Sequence, residues 1–145
     1  MMKLTCLACG AANRFPDEKL SAGPKCGVCG AGLADGRVRE IDLATLDKAL
    51  RTDAVPLVVD FWAPWCGPCR MMAPQVDAAA HALSPRVRFA KLNTEDHPDA
   101  GARFAIRGIP LLIAFRGGRE AARQAGAAQA AAIARWAEGA VAAKA

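Results

Sequence analysis

The stretch Leu57-Val58-Val59-Asp60-Phe61-Trp62-Ala63-Pro64-Trp65-Cys66-Gly67-Pro68-Cys69-Arg70 runs from an apolar, β-branched segment straight into two cysteines separated by two residues. The run from Pro56 to Phe61 has the length and composition of a buried strand interrupted by one acid, Asp60, and Pro64, Gly67 and Pro68 end it. A strand therefore delivers a cysteine pair to its end. Two thiols at this separation can close a small-ring disulfide, and if Cys66 opens a helix, the unpaired amides and dipole of that helix end favour its thiolate. This is the pattern of a redox nucleophile. Cys66, expected to be the more exposed, is the attacking thiol, and Cys69, one turn inward, resolves the mixed disulfide. A carboxyl within a buried run has a raised pKa, which suits Asp60 to accept the Cys69 proton; the alternative is a structural acid paired with Lys91 of the next strand. Neither His81 nor His97 has ligand spacing to the pair, and both read as surface residues. Trp62 and Trp65 flank the thiols, and Trp65, in a loop between two prolines, offers an aromatic contact to a partner protein.

Working outward, Val38 to Ile41 reads as a short first strand. Asp42 is a fair N-cap for a helix carrying Leu43, Leu46, Ala49 and Leu50 at helical spacing. From Cys66 the apolar positions Met72, Val76, Ala79, Ala80 and Leu83 follow a helical period, with Pro68 in the first turn and Pro74 expected to kink the helix. Met71 and Met72 read as packing residues. Arg86 to Asn93 alternates as a third strand, and Pro98 opens a short helix to about Phe104. Leu111 to Phe115 is a fully buried strand, Gly117-Gly118 a hairpin turn, and Arg119 to Ala125 a weaker strand. A last helix spans about Ala127 to Ala143, with Ile133, Trp136, Ala140 and Val141 as its buried stripe. The order β α β α β α β β α describes an α/β sheet covered on both faces, in which chemistry sits at the carboxyl ends of strands.

The first 36 residues hold the other four cysteines in a repeat, Cys6-Leu-Ala-Cys9-Gly10-Ala11 and Cys26-Gly-Val-Cys29-Gly30-Ala31, with sixteen residues between Cys9 and Cys26. This is the spacing of a four-cysteine zinc site, and the segment has too few periodic apolar residues to fold on its own core. We therefore expect a small zinc ribbon over 1–36, with one structural zinc ion on Cys6, Cys9, Cys26 and Cys29, and a second domain over 37–145. Iron fits four thiolates too, and free or redox-active thiols are the other reading. A thiolate-rich site beside a redox pair is also open to a redox-responsive role.

The net charge of +5 falls to about +3 once four thiolates and a divalent ion are counted. No Lys/Arg run reaches five, and six basic against four acidic residues before Ile41 leave the ribbon without a basic surface, which excludes charge-driven nucleic-acid binding. No stretch has eighteen consecutive apolar residues, so no membrane span is expected, and the start reaches Cys6 without a signal-peptide core. A cytoplasmic monomer is the expectation. Thiols stay mostly reduced there, so metal ligation or catalysis is favoured over structural disulfides.

Residues from about 38 to 144 closely resemble the thioredoxin family. The resemblance rests on Val59-Asp60-Phe61-Trp62-Ala63, Trp65-Cys66-Gly67-Pro68-Cys69, Ala90-Lys91-Leu92-Asn93 and Arg107-Gly108-Ile109-Pro110. With the four-cysteine ribbon, the whole chain is similar to the zinc-binding bacterial branch of that family. The resemblance implies the thioredoxin fold, a central mixed sheet with helices on both faces, behind the ribbon. It implies a cis peptide bond before Pro110, facing the cysteines, and a substrate groove lined by Gly108, Ile109, Pro110 and the Gly126-Ala127 turn, with Trp65, Gly67 and Pro68 beside it and Trp62 and Lys91 in support. It further implies a protein-disulfide reductase without a bound organic cofactor, recharged by thioredoxin reductase, through which alone NADPH enters. Leu111 departs from the family, where threonine usually follows this proline, and the difference bears on substrate preference.

Overall fold

The computed structural model describes residues 1–142 and begins with a small hairpin, β1 (Met2–Thr5) antiparallel to β2 (Ala12–Phe15), followed by a 3-10 turn over Asp17–Ala22. Leu4, Cys6, Cys26, Leu33 and Val55 make a separate small core beneath it. The sequence reading gave this region no strands, because four-residue segments such as Ala12-Asn13-Arg14-Phe15 are too short for a period to register.

The elements that follow are β3 (Arg39–Glu40), α1 (Leu43–Thr52), β4 (Leu57–Trp62), α2 (Gly67–Leu83), β5 (Arg88–Asn93), α3 (Asp99–Arg103), β6 (Leu111–Arg116), β7 (Arg119–Ala125) and α4 (Ala130–Ala142). The five strands after the hairpin pair in the order β3-β5-β4-β6-β7, with β3, β5 and β4 parallel and β6 and β7 antiparallel to their neighbours. Alternate residues of each strand feed opposite cores. Leu57, Val59 and Phe61 join Leu46, Ala49, Leu92, Ile113 and Phe115 on one face; Val58 joins Met72, Val76, Phe89, Leu112 and Ile133 on the other. The sheet is mixed, with α2 and α4 on one face, as the resemblance implies.

Local chemistry sets the boundaries. Asp42 caps α1 by accepting from the Thr45 amide at 2.7 Å. Pro74 lies inside α2, which continues past it. Gly117 and Gly118 both take positive φ in the β6–β7 turn, and a Cβ on Gly118 would stand 2.6 Å from the Leu50 carbonyl oxygen. Three readings need correction. The alternation expected of Arg86 to Asn93 does not separate a buried from an exposed face: Arg88, Ala90 and Leu92 are buried like Val87 and Phe89, because both faces of β5 are covered, Ala90 and Leu92 lying in one core and Val87 and Phe89 in the other. The last helix begins at Ala130 instead of Ala127, where the Gln75 side chain from α2 accepts from the Ala130 amide at 2.9 Å. Of its expected stripe only Ile133 is buried, beside Ala137; Trp136, Ala140 and Val141 are half-buried, and the expected end at Ala143 lies outside the described residues.

The hairpin region is fastened to the base of the sheet by Arg88. Its guanidinium donates to the Thr5 and Leu33 carbonyls at 2.9 Å each and pairs with Asp53, whose other oxygen accepts from the Thr5 amide at 2.7 Å. Burial pushes the Asp53 carboxyl upward, and Arg88 and Thr5 pull it part of the way back. Ala54 also donates to the Lys3 carbonyl at 3.0 Å, and Ser84 to the Ala34 carbonyl at 3.0 Å. Breaking a buried pair from one side leaves an uncompensated charge, so Arg88→Met should cost about 3–5 kcal/mol in urea unfolding. Adding Asp53→Asn should restore part of that loss; a cost near zero for Arg88→Met would refute the account.

Candidate active site and metal centre

Strand β4 ends at Trp62, and the chain turns through Ala63 to Trp65 to bring Cys66 to the start of α2. Cys66 is the N-cap: its amide donates to the Ala63 carbonyl at 3.1 Å, and its Sγ accepts from the Cys69 amide at 3.2 Å. The two cysteines are joined as a disulfide with Cα atoms 5.3 Å apart. A helix N-terminus with an amide already aimed at Sγ stabilises negative charge on that sulfur, so the geometry serves a thiolate when the bond is reduced. Cys66 at 4% exposure is barely more open than Cys69 at 2%. Both are buried, so the expected contrast in exposure is slight in this disulfide form.

Around the pair, Ala63, Trp62 and Ile109 complete a small apolar cluster. The Ile109–Pro110 bond is cis, and the Pro110 carbonyl accepts from the Gly126 amide at 3.0 Å, which ties the two chain segments together. Gly108, Ile109, Pro110 and Gly126, with Arg107 and Arg123, line an open groove of about 430 Å³. Gly67 and Pro68 are exposed, and Trp65 is 68% exposed with its indole donating to Glu95. Met72 packs in the core, but Met71 is 79% exposed, because adjacent helical residues point about 100° apart and Met71 falls off the buried stripe of α2. The packing role expected of Met71 is thus overturned. His81 is exposed and His97 half-buried.

Asp60 is 3% exposed, and its Oδ1 has no hydrogen-bond partner among the described residues. Burial first of all pushes its carboxyl up to about 7; Lys91 opposes, while Glu40 and Asp77 add to the rise. Lys91 is its register partner on β5, yet the Lys91 ammonium lies over the Trp62 ring, 5.1 Å from the centroid, and makes no ion pair with Asp60 within 4.0 Å. The Trp62 indole donates to Glu40, a residue to which the sequence reading gave no role. The signal was an acid in a short edge strand beside a lysine-bearing one.

The four remaining cysteines converge in the ribbon, where Cys6 and Cys26 pack with Val55 just ahead of β4. Cys6 and Cys29 sulfurs are 3.7 Å apart, Cys9 and Cys26 likewise, and all four lie within 4.8 Å of one another. A tetrahedral ion about 2.3 Å from each sulfur sets sulfurs about 3.8 Å apart, so the donor set fits a zinc-type metal. Each pair sits in the same turn: Cys6 donates to Ala11 and accepts from Gly10 at 2.8 Å, and Cys26 donates to Ala31 and accepts from Gly30 at 2.8 and 2.9 Å. Gly10 and Gly30 take φ of 82° and 81°, which the turn requires. Backbone hydrogen bonding at Cys29, the Asn13 side chain and the Val28 amide pull the Cys26 thiol down to about 6. The Cys9 thiol, despite hydrogen bonding at Ala11, is pushed up to about 12 by desolvation within the cluster and by its three neighbouring sulfurs, although the residue itself is exposed. Four sulfurs this close together could hold a cation.

The pKa of Asp60 fixes a pH dependence. Its folded value of about 7 lies above the unfolded carboxylate value, so its stabilising contribution is complete below about pH 4 and is lost as pH rises through 7, by up to about 4 kcal/mol. Asp60→Asn should therefore unfold at higher denaturant than wild type at pH 8 and lose that advantage near pH 4. A pH-independent difference would contradict this.

The thioredoxin family model matches residues 37–139, and a model for the N-terminal region of thioredoxin 2 matches residues 5–31. Thioredoxin C-3 of Corynebacterium nephridii is 38% identical over 135 residues, spanning 93% of this chain and 92% of the relative. Thioredoxin 1 of Chlorobaculum tepidum is 48% identical over 83 residues, 57% of this chain and 82% of the relative. Among solved structures, chloroplastic thioredoxin z superposes with a TM-score of 0.66 at 28% identity, covering 72% of this chain and 94% of its own. A thioredoxin from Halobacterium salinarum shares the fold, with a TM-score of 0.68 at 23% identity over 77% of this chain and 97% of its own. Joined to a Cys66–Cys69 disulfide at a helix N-terminus and a four-sulfur cluster in an N-terminal zinc-ribbon domain, these likenesses make the chain a member of the thioredoxin family and a thioredoxin-type dithiol oxidoreductase.

Proposed function

We propose that the protein is a protein-disulfide reductase in which Cys66 attacks, Cys69 resolves and Asp60 moves the proton. The observation that carries this is the Cys69 amide donating to Cys66 Sγ at the N-cap of α2. In the reduced protein the Cys66 thiolate attacks one sulfur of a substrate disulfide; that bond breaks, and the departing substrate thiolate takes up a proton. Cys69 then gives its proton to Asp60 and attacks Cys66 Sγ, releasing the second substrate thiolate. Two electrons pass to the substrate, and the chain is left with the disulfide seen in the structure. Burial of Asp60 and its unpartnered oxygen support its role, since a carboxyl titrating near 7 exchanges protons at working pH.

The substrate chain lies along Gly108, Ile109, Pro110 and Gly126, with Trp65, Gly67 and Pro68 as the exposed rim and Trp62 and Lys91 in support. A proline ahead of β6 leaves backbone groups free to pair with a visiting extended peptide. NADPH-dependent thioredoxin reductase returns the chain to the dithiol, and no organic cofactor binds. The division falls between a ribbon over 1–36 and a thioredoxin domain over 37–145. One zinc ion on Cys6, Cys9, Cys26 and Cys29 would supply the cross-link that so small an apolar core lacks. Exposure of Cys9 and Cys29 favours, as a second reading, that oxidants reach this site. The protein works as a cytoplasmic monomer on disulfide-containing proteins, without nucleic acid or membrane. No helix of the described residues is long and apolar enough to cross a membrane.

Cys69→Ser should accumulate mixed disulfides with substrate proteins, whereas Cys66→Ser should trap none and lose NADPH-coupled insulin reduction with thioredoxin reductase. Equal trapping by both variants would reverse or remove the assigned order. Elemental analysis should find one zinc per chain, and chelation should abolish the near-ultraviolet signature of the ribbon before that of the sheet.

A further inference from the structure

A row of alternating charge crosses the sheet and ends at the redox site. Glu40 on β3 and Lys91 on β5 are register partners, and Lys91 and Asp60 on β4 are the next pair. Partners in register project to the same face, so the row runs negative, positive, negative from the exposed edge to the buried centre. Trp62 and Asn93, two residues further along their strands, share that face. The Glu40 carboxylate accepts from the Trp62 indole at 3.2 and 3.4 Å and from the Asn93 amide at 2.9 Å. Trp62 in turn carries the Lys91 ammonium over its ring and packs against Ala63, Cys66 and Cys69.

We propose that Glu40 is a positioning residue of the dithiol site, anchoring the Trp62 indole against the cysteine pair and sharing the Lys91 ammonium with Asp60. The inference deepens the reading of Asp60 as proton acceptor and rests on it for its effect on turnover. An indole fixed at one edge by a carboxylate is not free to swing, and its face sets where the Lys91 charge rests. An ionised Glu40 also opposes ionisation of Asp60. The other groups facing Asp60 are few: Asp77 comes from α2, Leu112 is its apolar partner on β6, and α4 brings Ile133 and Ala137 to this core. Removing the Glu40 charge leaves Lys91 to act on Asp60 alone. Both changes make Asp60 easier to ionise.

Strand spacing puts Glu40 two strands, roughly 10 Å, from Asp60, where a partly exposed charge shifts a titration by about half a pH unit. Glu40→Gln keeps the side-chain length and an oxygen that accepts from the indole. Carbon-13 NMR of the full-length oxidised chain should show the Asp60 carboxyl titrating about half a pH unit lower in Glu40→Gln, with the Trp62 indole resonance in place. In Glu40→Ala the same drop should come with a displaced indole resonance. An unchanged or raised Asp60 midpoint in Glu40→Gln overturns the proposal, since a merely structural side chain would leave it where it is. In parallel, the pH profile of mixed-disulfide resolution is measured for Asp60→Asn. Loss of its inflection near pH 7 supports the proton-acceptor role; a profile like wild type removes that role and with it the effect of Glu40 on turnover, while the NMR midpoint still decides the electrostatic coupling.

Discussion

The guanidinium of Arg88 is the constraint through which the two parts of the molecule fit together. It occupies the first position of β5, is buried, and finds its partners in the ribbon backbone at Thr5 and Leu33 and in Asp53. Its two terminal nitrogens are paired while its Nε has no partner among the described residues, so unfolding the ribbon would leave still more of a buried cation unanswered and destabilise the base of the sheet. Within the ribbon the four sulfurs converge to within 4.8 Å of one another. Because side chains alternate along a strand, seating Arg88 also assigns Phe89, Lys91 and Asn93 to the opposite face. The charge that later stands in register with Asp60 is thus placed by a contact at the far end of the same strand.

One acid precedes β4 and another lies within it, and their environments separate structure from chemistry. Asp53, ahead of the strand, is wrapped by Arg88 and the Thr5 amide; its burial is answered by bonds. Asp60, within the strand, has an oxygen with no partner and a neighbouring lysine drawn toward Trp62. An unanswered carboxyl in an apolar setting holds its proton into the neutral range, a liability for stability and an asset for proton transfer. The sheet carries both because neighbouring residues, not residue type, decide which role an acid takes.

The central strands, the helix behind Cys66, the Gly117-Gly118 turn and the cysteine pairs were legible because each rests on a local rule: apolar runs, glycine dihedrals and ligand spacing. What escaped the sequence was set by contacts distant along the chain. The start of α4 depends on Gln75 of another helix. The burial of Arg88 lies beyond strand alternation, since nothing local tells a cation in an apolar run that two carbonyls from the first 36 residues meet it. Met71 looks like its neighbour Met72, yet it faces solvent. At the site, Cys66, Cys69 and Asp60 stood out as polar atoms where apolar ones were expected, whereas Glu40 did not, because an acid on an edge strand is ordinary until its partners are seen.

Cys6 and Cys26 pack with Val55 ahead of β4, whereas Cys66 and Cys69 follow its far end, and the strand between is six residues or roughly 20 Å long. Thiol–disulfide exchange needs sulfur in contact with sulfur, so in the folded protein oxidising equivalents held by Cys66 and Cys69 have no intramolecular route to the other four cysteines. The sheet works as an insulator between two kinds of sulfur chemistry. That insulation exists only after folding. While the chain is unfolded any of six thiols can mispair, and a metal bound to the first four would then act as a protecting group, leaving Cys66 and Cys69 with no partner but each other.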